Sequence, residues 1–271
     1  MSFRPNAKVP PEAVDQLVTD GYVIVEGGVR PLLCNVANAD LDEFKRRNRR
    51  TLKSAVDHAG RLPQLMNLHL VVDALATVFS ENTALDVCDQ FFGDETVLAG
   101  SLLSESHGEP GVRAEVGMDG THPTARHLMV WVALDDVSSD NGPLLVVPGS
   151  HHDAAGDADS PPIQLELHRG DVVVSHPRLH LGSAPPLAPR RTRRTVLLHV
   201  RPLGDGGSQD YMEHNTRKMA AVRRVVVAER STWRVKLLVR PGAGVGERLE
   251  VTGRILKQRL LTLRNRALRS S

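Results

Sequence analysis

Hydrophobic spacing divides the chain into an early part that reads as helices and a later part that reads as strands. Residues 10 to 21 carry apolar positions at helical spacing, with Pro10 and Pro11 at the start and Gly21 at the end. Tyr22 to Val25 is a short β-rich run closed by Gly27 and Gly28. Helical spacing returns over 31 to 48, ending in the charged stretch Lys45 to Arg50, and again from about Leu70 to Phe92, closed by Gly93. From Thr96 the period changes. Thr96 to Leu103, Leu128 to Leu134, the LLVV between Pro143 and Pro148, Asp171 to Ser175 and Thr195 to Val200 all read as strands. The run LMVWVAL is almost continuously apolar, which marks a buried strand. Ser104 to Ala125 is polar and reads as a long loop or weak hairpin, the kind of segment that carries function. Short strands between Gly- and Pro-rich turns, preceded by helices, predict a helix-backed β-sandwich or jelly roll.

Composition narrows the picture. Aromatic residues are 3 % of a chain that is 41 % hydrophobic, so the core must be aliphatic. The formal net charge of +2 gives no argument for nucleic acid as a partner. Cys34 and Cys88 form no CxxC, so neither a zinc site nor a disulfide framework is expected, and a reducing, cytoplasmic setting follows. No run approaches the roughly 20 apolar residues of a membrane span, and the first residues have no apolar core of a signal peptide. There is no GxSxG to support a hydrolase. The chain divides into residues 1–203, the sandwich with its helices, and a basic extension, 204–271, in which Arg and Lys alternate with Leu and Val. Residues 251 to 268 of that extension fit a basic amphipathic helix. Its candidate partners are a carrier protein, a CoA-like substrate or a homologous subunit. The stretch Leu52 to Leu70, without an aromatic, is expected to line the mouth of a pocket.

Three blocks carry the chemistry. They are HLMVWVALDDVSSDNGPLLVVPGSHH (127–152), GDVVVSHPRLHLGSAPP (170–186) and RRTRRTVLLHV (190–200). In this order and spacing, with DGYVIVEGGV (20–29) and FFGDETVLAGSLL (91–103) ahead of them, they resemble the phytanoyl-CoA dioxygenase family over roughly residues 15 to 202. That resemblance implies a mostly β double-stranded β-helix, a cupin-like jelly roll flanked by helices. It also implies Fe(II) and 2-oxoglutarate as cofactors and a small-molecule substrate, with a natural-product pathway as one setting. The family holds iron with two histidines and a carboxylate on one face and leaves the other positions open. A histidine and an aspartate come as His-x-Asp, and a second histidine follows a later strand. An arginine beyond it takes the distal carboxylate of 2-oxoglutarate.

Carried over residue by residue, Asp119 matches the carboxylate, His180 the distal histidine, Arg193 the 2-oxoglutarate arginine and Trp131 an aromatic of the cofactor pocket. Two alternatives stay open. If the Gly182-Ser183 pair follows the ligand directly, Leu181 falls on the ligand position, and Arg194 stands beside Arg193. The residue two before Asp119 is Gly117, which has no side chain to bind a metal. His107, His122 and His127 are nearby replacements, with His107 or His122 as the third ligand. Asp119-Gly120 is also a common turn pair, and Asn141-Gly142 is expected to make a tight turn with little chemistry of its own. His151 and His152 read as structural or rim residues and His176 as a strand histidine. Two functions follow. One is an active oxygenase that hydroxylates, desaturates or cyclises its substrate. The other is a catalytically impaired subunit of the same fold, lacking the first metal histidine, that binds a ligand or partner.

Overall fold

The computed structural model describes residues 2–3, 9–50, 52, 60–62, 65–105, 111–114, 126–152, 161–188 and 192–204. Eleven strands and four α-helices lie among them. In chain order they are β1 (Ser2–Phe3), α1 (Pro11–Asp20), β2 (Tyr22–Val25), α2 (Pro31–Arg47), β3 (Leu65–Met66), α3 (Asp73–Ser80) and α4 (Leu85–Phe92). Then follow β4 (Thr96–Ser104), β5 (Gly111–Ala114), β6 (Leu128–Ala133), β7 (Leu144–Val147), β8 (Ile163–Leu165), β9 (Val172–Ser175), β10 (His180–Ser183) and β11 (Thr195–Pro202). A seven-stranded sheet in the order β1-β2-β9-β6-β11-β4-β3 faces a three-stranded sheet in the order β10-β7-β8, with β5 beside β10 and β7. All pairs are antiparallel except β1 with β2.

The large sheet is covered on both faces, which is why its central strands read as unbroken apolar runs rather than alternating ones. Along β6, Leu128, Val130 and Val132 enter the core shared with the helices, while Trp131 and Ala133 enter the layer between the sheets. Val172 and Val174 of β9 divide from Val173 in the same way, and Val196, Leu198 and Val200 of β11 divide from Leu197. The helices supply the outer cover. Pro11 and Pro31 stand in the first turns of α1 and α2, where the missing N–H costs nothing. Gly21 ends α1 in the left-handed region, at φ 82°, and donates to the Leu17 carbonyl.

Three expectations change here. The helical segment 70–92 is two helices, because the chain turns at Asn82, whose Oδ1 accepts from the Ala84 N–H at 3.0 Å ahead of α4. The polar segment 104–125 contains β5. Leu52, Leu62, Leu65 and Leu68 do not line a mouth. They are buried in the helix-side core.

One charged cluster joins the helices to the sheet. Glu105, 2 % exposed, accepts from Lys45 of α2 at 2.6 Å, from Arg194 at 2.8 Å and from the Leu62 N–H at 2.8 Å. Arg194 also reaches Asp42 and the Asn38 carbonyl of α2. The charges of this buried carboxylate and its cations are matched, which is the condition for tolerating them inside.

Candidate functional site

Among the described residues the inter-sheet layer is mainly aliphatic, and the guanidinium of Arg193 enters it. Arg193 stands two residues before β11 and is 4 % exposed. On this strand Arg193, Thr195, Leu197 and His199 share a face, and Leu197 packs between the sheets. The Arg193 guanidinium lies 5.5 Å from the centre of the Trp131 ring. It donates to Ser183 Oγ of β10 at 2.9 Å and to the Gly142 carbonyl. Burial lowers its pKa to about 10, which still leaves it a cation at neutral pH.

The Gly142 carbonyl is placed by its neighbour. Asn141 Oδ1 accepts from the Ser138 N–H at 2.9 Å, and its Nδ2 donates to the Asp136 carbonyl at 2.7 Å. The Asn-Gly turn therefore serves the site as well as the chain reversal, contrary to the expectation of little chemistry there. β10, β6, β11 and this turn together fix the guanidinium. Such a planar fork, held rigidly in a dry layer, suits a carboxylate.

Neighbouring arginines go to opposite faces. Arg193 enters the inter-sheet layer, and Arg194 joins Glu105 on the helix side. The sequence left these two open, and strand alternation separates them.

β10 presents a second alternation. His180 pairs with Val147, Leu181 with Val146, Gly182 with Leu145 and Ser183 with Leu144. Leu144 and Val146 belong to the inter-sheet cluster, Leu181 packs against it, and Ser183 holds Arg193. His180 and Gly182 belong to the other face. The His180 backbone N–H donates to Ser150 Oγ at 2.8 Å. The structure thus brings Arg193, Trp131 and Ser183 together and sets Leu181, not His180, on their face. Asp119, Gly117, His107 and His122 lie outside the described residues. Among the described residues no group of three or more His, Cys, Asp or Glu side chains is placed to hold a metal. The described part of the site fits the carboxylate of an acid, and β10 offers it no imidazole.

Among the described residues, His127, His151, His152, His176 and His199 gather at the other end of the layer, where β6 begins and β9 ends. His127 Nε2 and His199 Nδ1 are 3.2 Å apart. Desolvation, with His127 as a smaller cause, lowers the His199 pKa to about 3. His176 falls to about 4, mainly by desolvation and then by His151. His151 donates to the Val18 carbonyl at 2.9 Å and His152 to the Thr19 carbonyl at 3.3 Å, so both tie down the end of α1. Sequence reasoning missed the His127–His199 pair. Its one signal was that His199 shares the face of Arg193, six residues and roughly 20 Å along the strand.

The profile of the phytanoyl-CoA dioxygenase family matches residues 17–195. No curated protein matches the chain in sequence. Among solved structures, AviO1 from Streptomyces viridochromogenes Tue57 is similar at a TM-score of 0.56 and 22 % identity, over 74 % of this chain and 98 % of that one. EctD from S. alaskensis, crystallised with 2-oxoglutarate and 5-hydroxyectoine, gives 0.57 and 18 %, over 73 % and 77 %. The non-heme alpha ketoglutarate dependent carbocyclase SnoK from nogalamycin biosynthesis gives 0.55 and 17 %, over 72 % and 84 %. At these identities the likeness establishes the fold.

Proposed function

The chain belongs to the phytanoyl-CoA dioxygenase family of Fe(II)- and 2-oxoglutarate-dependent oxygenases, and on that premise we propose that it acts as an oxygenase on a small molecule, with 2-oxoglutarate anchored by its distal carboxylate at Arg193. One observation carries the proposal: the buried Arg193 guanidinium is fixed over Trp131 by Ser183 and the Gly142 carbonyl. A guanidinium meets a carboxylate through two parallel N–H bonds, and such bonds are stronger where water is excluded. Trp131 supports the cation through its ring face, a contact worth about 0.5–2 kcal/mol. Asp119 is the proposed carboxylate ligand of iron, with His107 or His122 as a nitrogen donor. Bound iron supplies the oxidative chemistry, and the residues around Arg193 orient the acid and keep water from it. Hydroxylation, desaturation and cyclisation are the outcomes open to such a site.

Anaerobic addition of Fe(II) and 2-oxoglutarate to the full chain tests this. The expected result is a weak metal-to-ligand charge-transfer band, and succinate once air is admitted. Absence of both sinks the oxygenase reading.

Gly117 and the inward Leu181 favour a second reading. In it the chain is a catalytically impaired member of the family that keeps the acid-binding half of the site. The basic segment 204–271, of which 205–271 lie outside the described residues, is then the candidate surface for a carrier protein or homologous subunit. Substituting Gly117→His separates the two. It raises iron affinity in an impaired site and leaves a complete one unchanged or weakened.

A further inference from the structure

Charge is divided unevenly along this chain. Residues 205–271 carry 15 Lys and Arg against six Asp and Glu, a net charge of +9. The whole chain stands at +2, so residues 1–204 carry −7. The acids of that body are not evenly spread either. From Val71 to Glu105 there are seven Asp and Glu and no Lys, Arg or His. None of α1, α3 and α4 contains a basic residue. α2 differs, because it ends in Lys45, Arg46 and Arg47, which pair with Glu105 and Glu43.

α1 and α4 are in contact, and both turn acids to solvent. On α1, Glu12, Asp15, Val18 and Thr19 are exposed, and their spacing puts them on one face. On α4, Asp86 and Gln90 are exposed. Apolar surface lies among these groups: Val18 is 51 % exposed, and Phe91 and Phe92 at the end of α4 are only partly buried. β11 delivers the chain to this surface. The Leu203 N–H donates to the Glu95 carbonyl and the Gly204 N–H to Asp94 Oδ2, both at 2.9 Å, just past the C-terminus of α4. The basic residues that follow therefore begin beside the acidic helices.

We propose that the basic segment 205–271 docks in cis on the acidic face of α1 and α4. This surface is independent of the reading of Arg193 as an acid anchor. An exposed ion pair contributes only about 0–1 kcal/mol, so no single pair holds the segment. Tethering changes the balance, because a tethered partner meets its site at an effective concentration on the order of millimolar. Many weak contacts then act together. Residues 251–268, with the spacing of a basic amphipathic helix, offer both kinds of contact. Leu256, Leu260 and Leu263 recur at i, i+4 and i+7, with Arg254, Lys257 and Arg264 among them. The leucines suit the exposed Val18, and the cations suit Glu12, Asp15 and Asp86. A carrier protein or homologous subunit that used this segment would first have to displace it from the body.

Carbodiimide cross-linking of the full chain, which joins an amine to a carboxylate in direct contact, tests the proposal. Peptide mapping of the monomer band should find Lys218, Lys236 or Lys257 joined to Glu12, Asp15 or Asp86. In the double variant Glu12→Lys, Asp15→Lys the yield at Asp86 should fall by about fivefold or more, since exposed pairs are lost and like charges replace them. In about 1 M salt, where the screening length is about 3 Å, the wild-type yield should fall likewise. The proposal is overturned if these lysines form no link to the helix acids, or if the links occur only in a dimer band, which makes a second copy the occupant. It is also overturned if salt leaves the wild-type yield unchanged, an outcome that decides the matter even where the double variant does not fold.

Discussion

Two arginines, adjacent in the chain, stand on opposite faces of the same sheet. Arg194 reaches Glu105, Asp42 and the backbone of α2, and binds the helices to the sheet. Arg193 goes between the sheets, where its acceptors include a hydroxyl and a carbonyl and its neighbours an indole. The helix-side layer is a large aliphatic core whose buried charges are matched within the protein. The inter-sheet layer is smaller and carries the polar groups that a ligand would meet. On the proposed reading one face governs stability and the other recognition, and one residue type serves both.

The sharpest way to break this division is Glu105→Ala. It leaves Lys45 and Arg194 facing a buried gap, and the expected loss is about 3–5 kcal/mol, read from denaturant unfolding. If the division holds, the folded fraction still binds 2-oxoglutarate with wild-type affinity.

Acid comes next, because burial pulls a histidine far down on each side of the sheet. His69 sits on the helix side, bonded to Ser101 Oγ at 2.6 Å, and its pKa falls to about 3 by desolvation. His199 falls to about 3 between the sheets. A depressed folded-state pKa means that the unfolded chain takes up the proton first. Stability is thus fully present above about pH 6.5 and is lost as the pH falls toward 3. Each group costs about 1.4 kcal/mol per pH unit below 6.5, so about 2 kcal/mol at pH 5. Unfolding curves of His69→Gln and His199→Gln between about pH 6.5 and 4.5 should each show a slope lower than wild type by about 1.4 kcal/mol per pH unit. A slope unchanged in both variants would refute the assignment.

Arg193→Leu should lower 2-oxoglutarate affinity at least tenfold, or about 1.4 kcal/mol. Its effect on unfolding should be slight, since an apolar replacement in this layer removes the desolvation cost of the cation. Trp131→Leu is the mildest test. It keeps the layer apolar but removes the ring under the guanidinium, for an expected loss of about 1 kcal/mol in acid binding.

Much of the fold is legible in the sequence because strands covered on both faces are strongly apolar. β2, β4, β6, β7, β9 and β11 all announce themselves this way, and the prolines and glycines mark α1 and α2. The four-residue β10 does not, since HLGS has neither an apolar run nor an alternation. The apolarity that reveals a doubly covered strand also hides which face each residue takes. In RRTVLLHV nothing distinguishes the inward parity from the outward one, so Arg193 and Arg194 are equivalent until the helices are in place. The choice between His180 and Leu181 has the same origin. It is decided by Ser183 reaching Arg193 and by β5 crowding Gly182, two contacts between segments distant in sequence.

Gly182, where the backbone of β5 leaves no room for a side chain, also constrains descent. Insertion or deletion of one residue in β10 would set a side chain against the β5 backbone, so the change this strand tolerates best is point substitution. Position 181 is then a locus where leucine and a metal-binding residue exchange without altering any neighbour's phase. Related chains are expected to vary at 181 while retaining glycine at 182 and a hydroxyl at 183, and ancestral reconstruction would show whether catalytic and binding-only forms lie a single codon step apart.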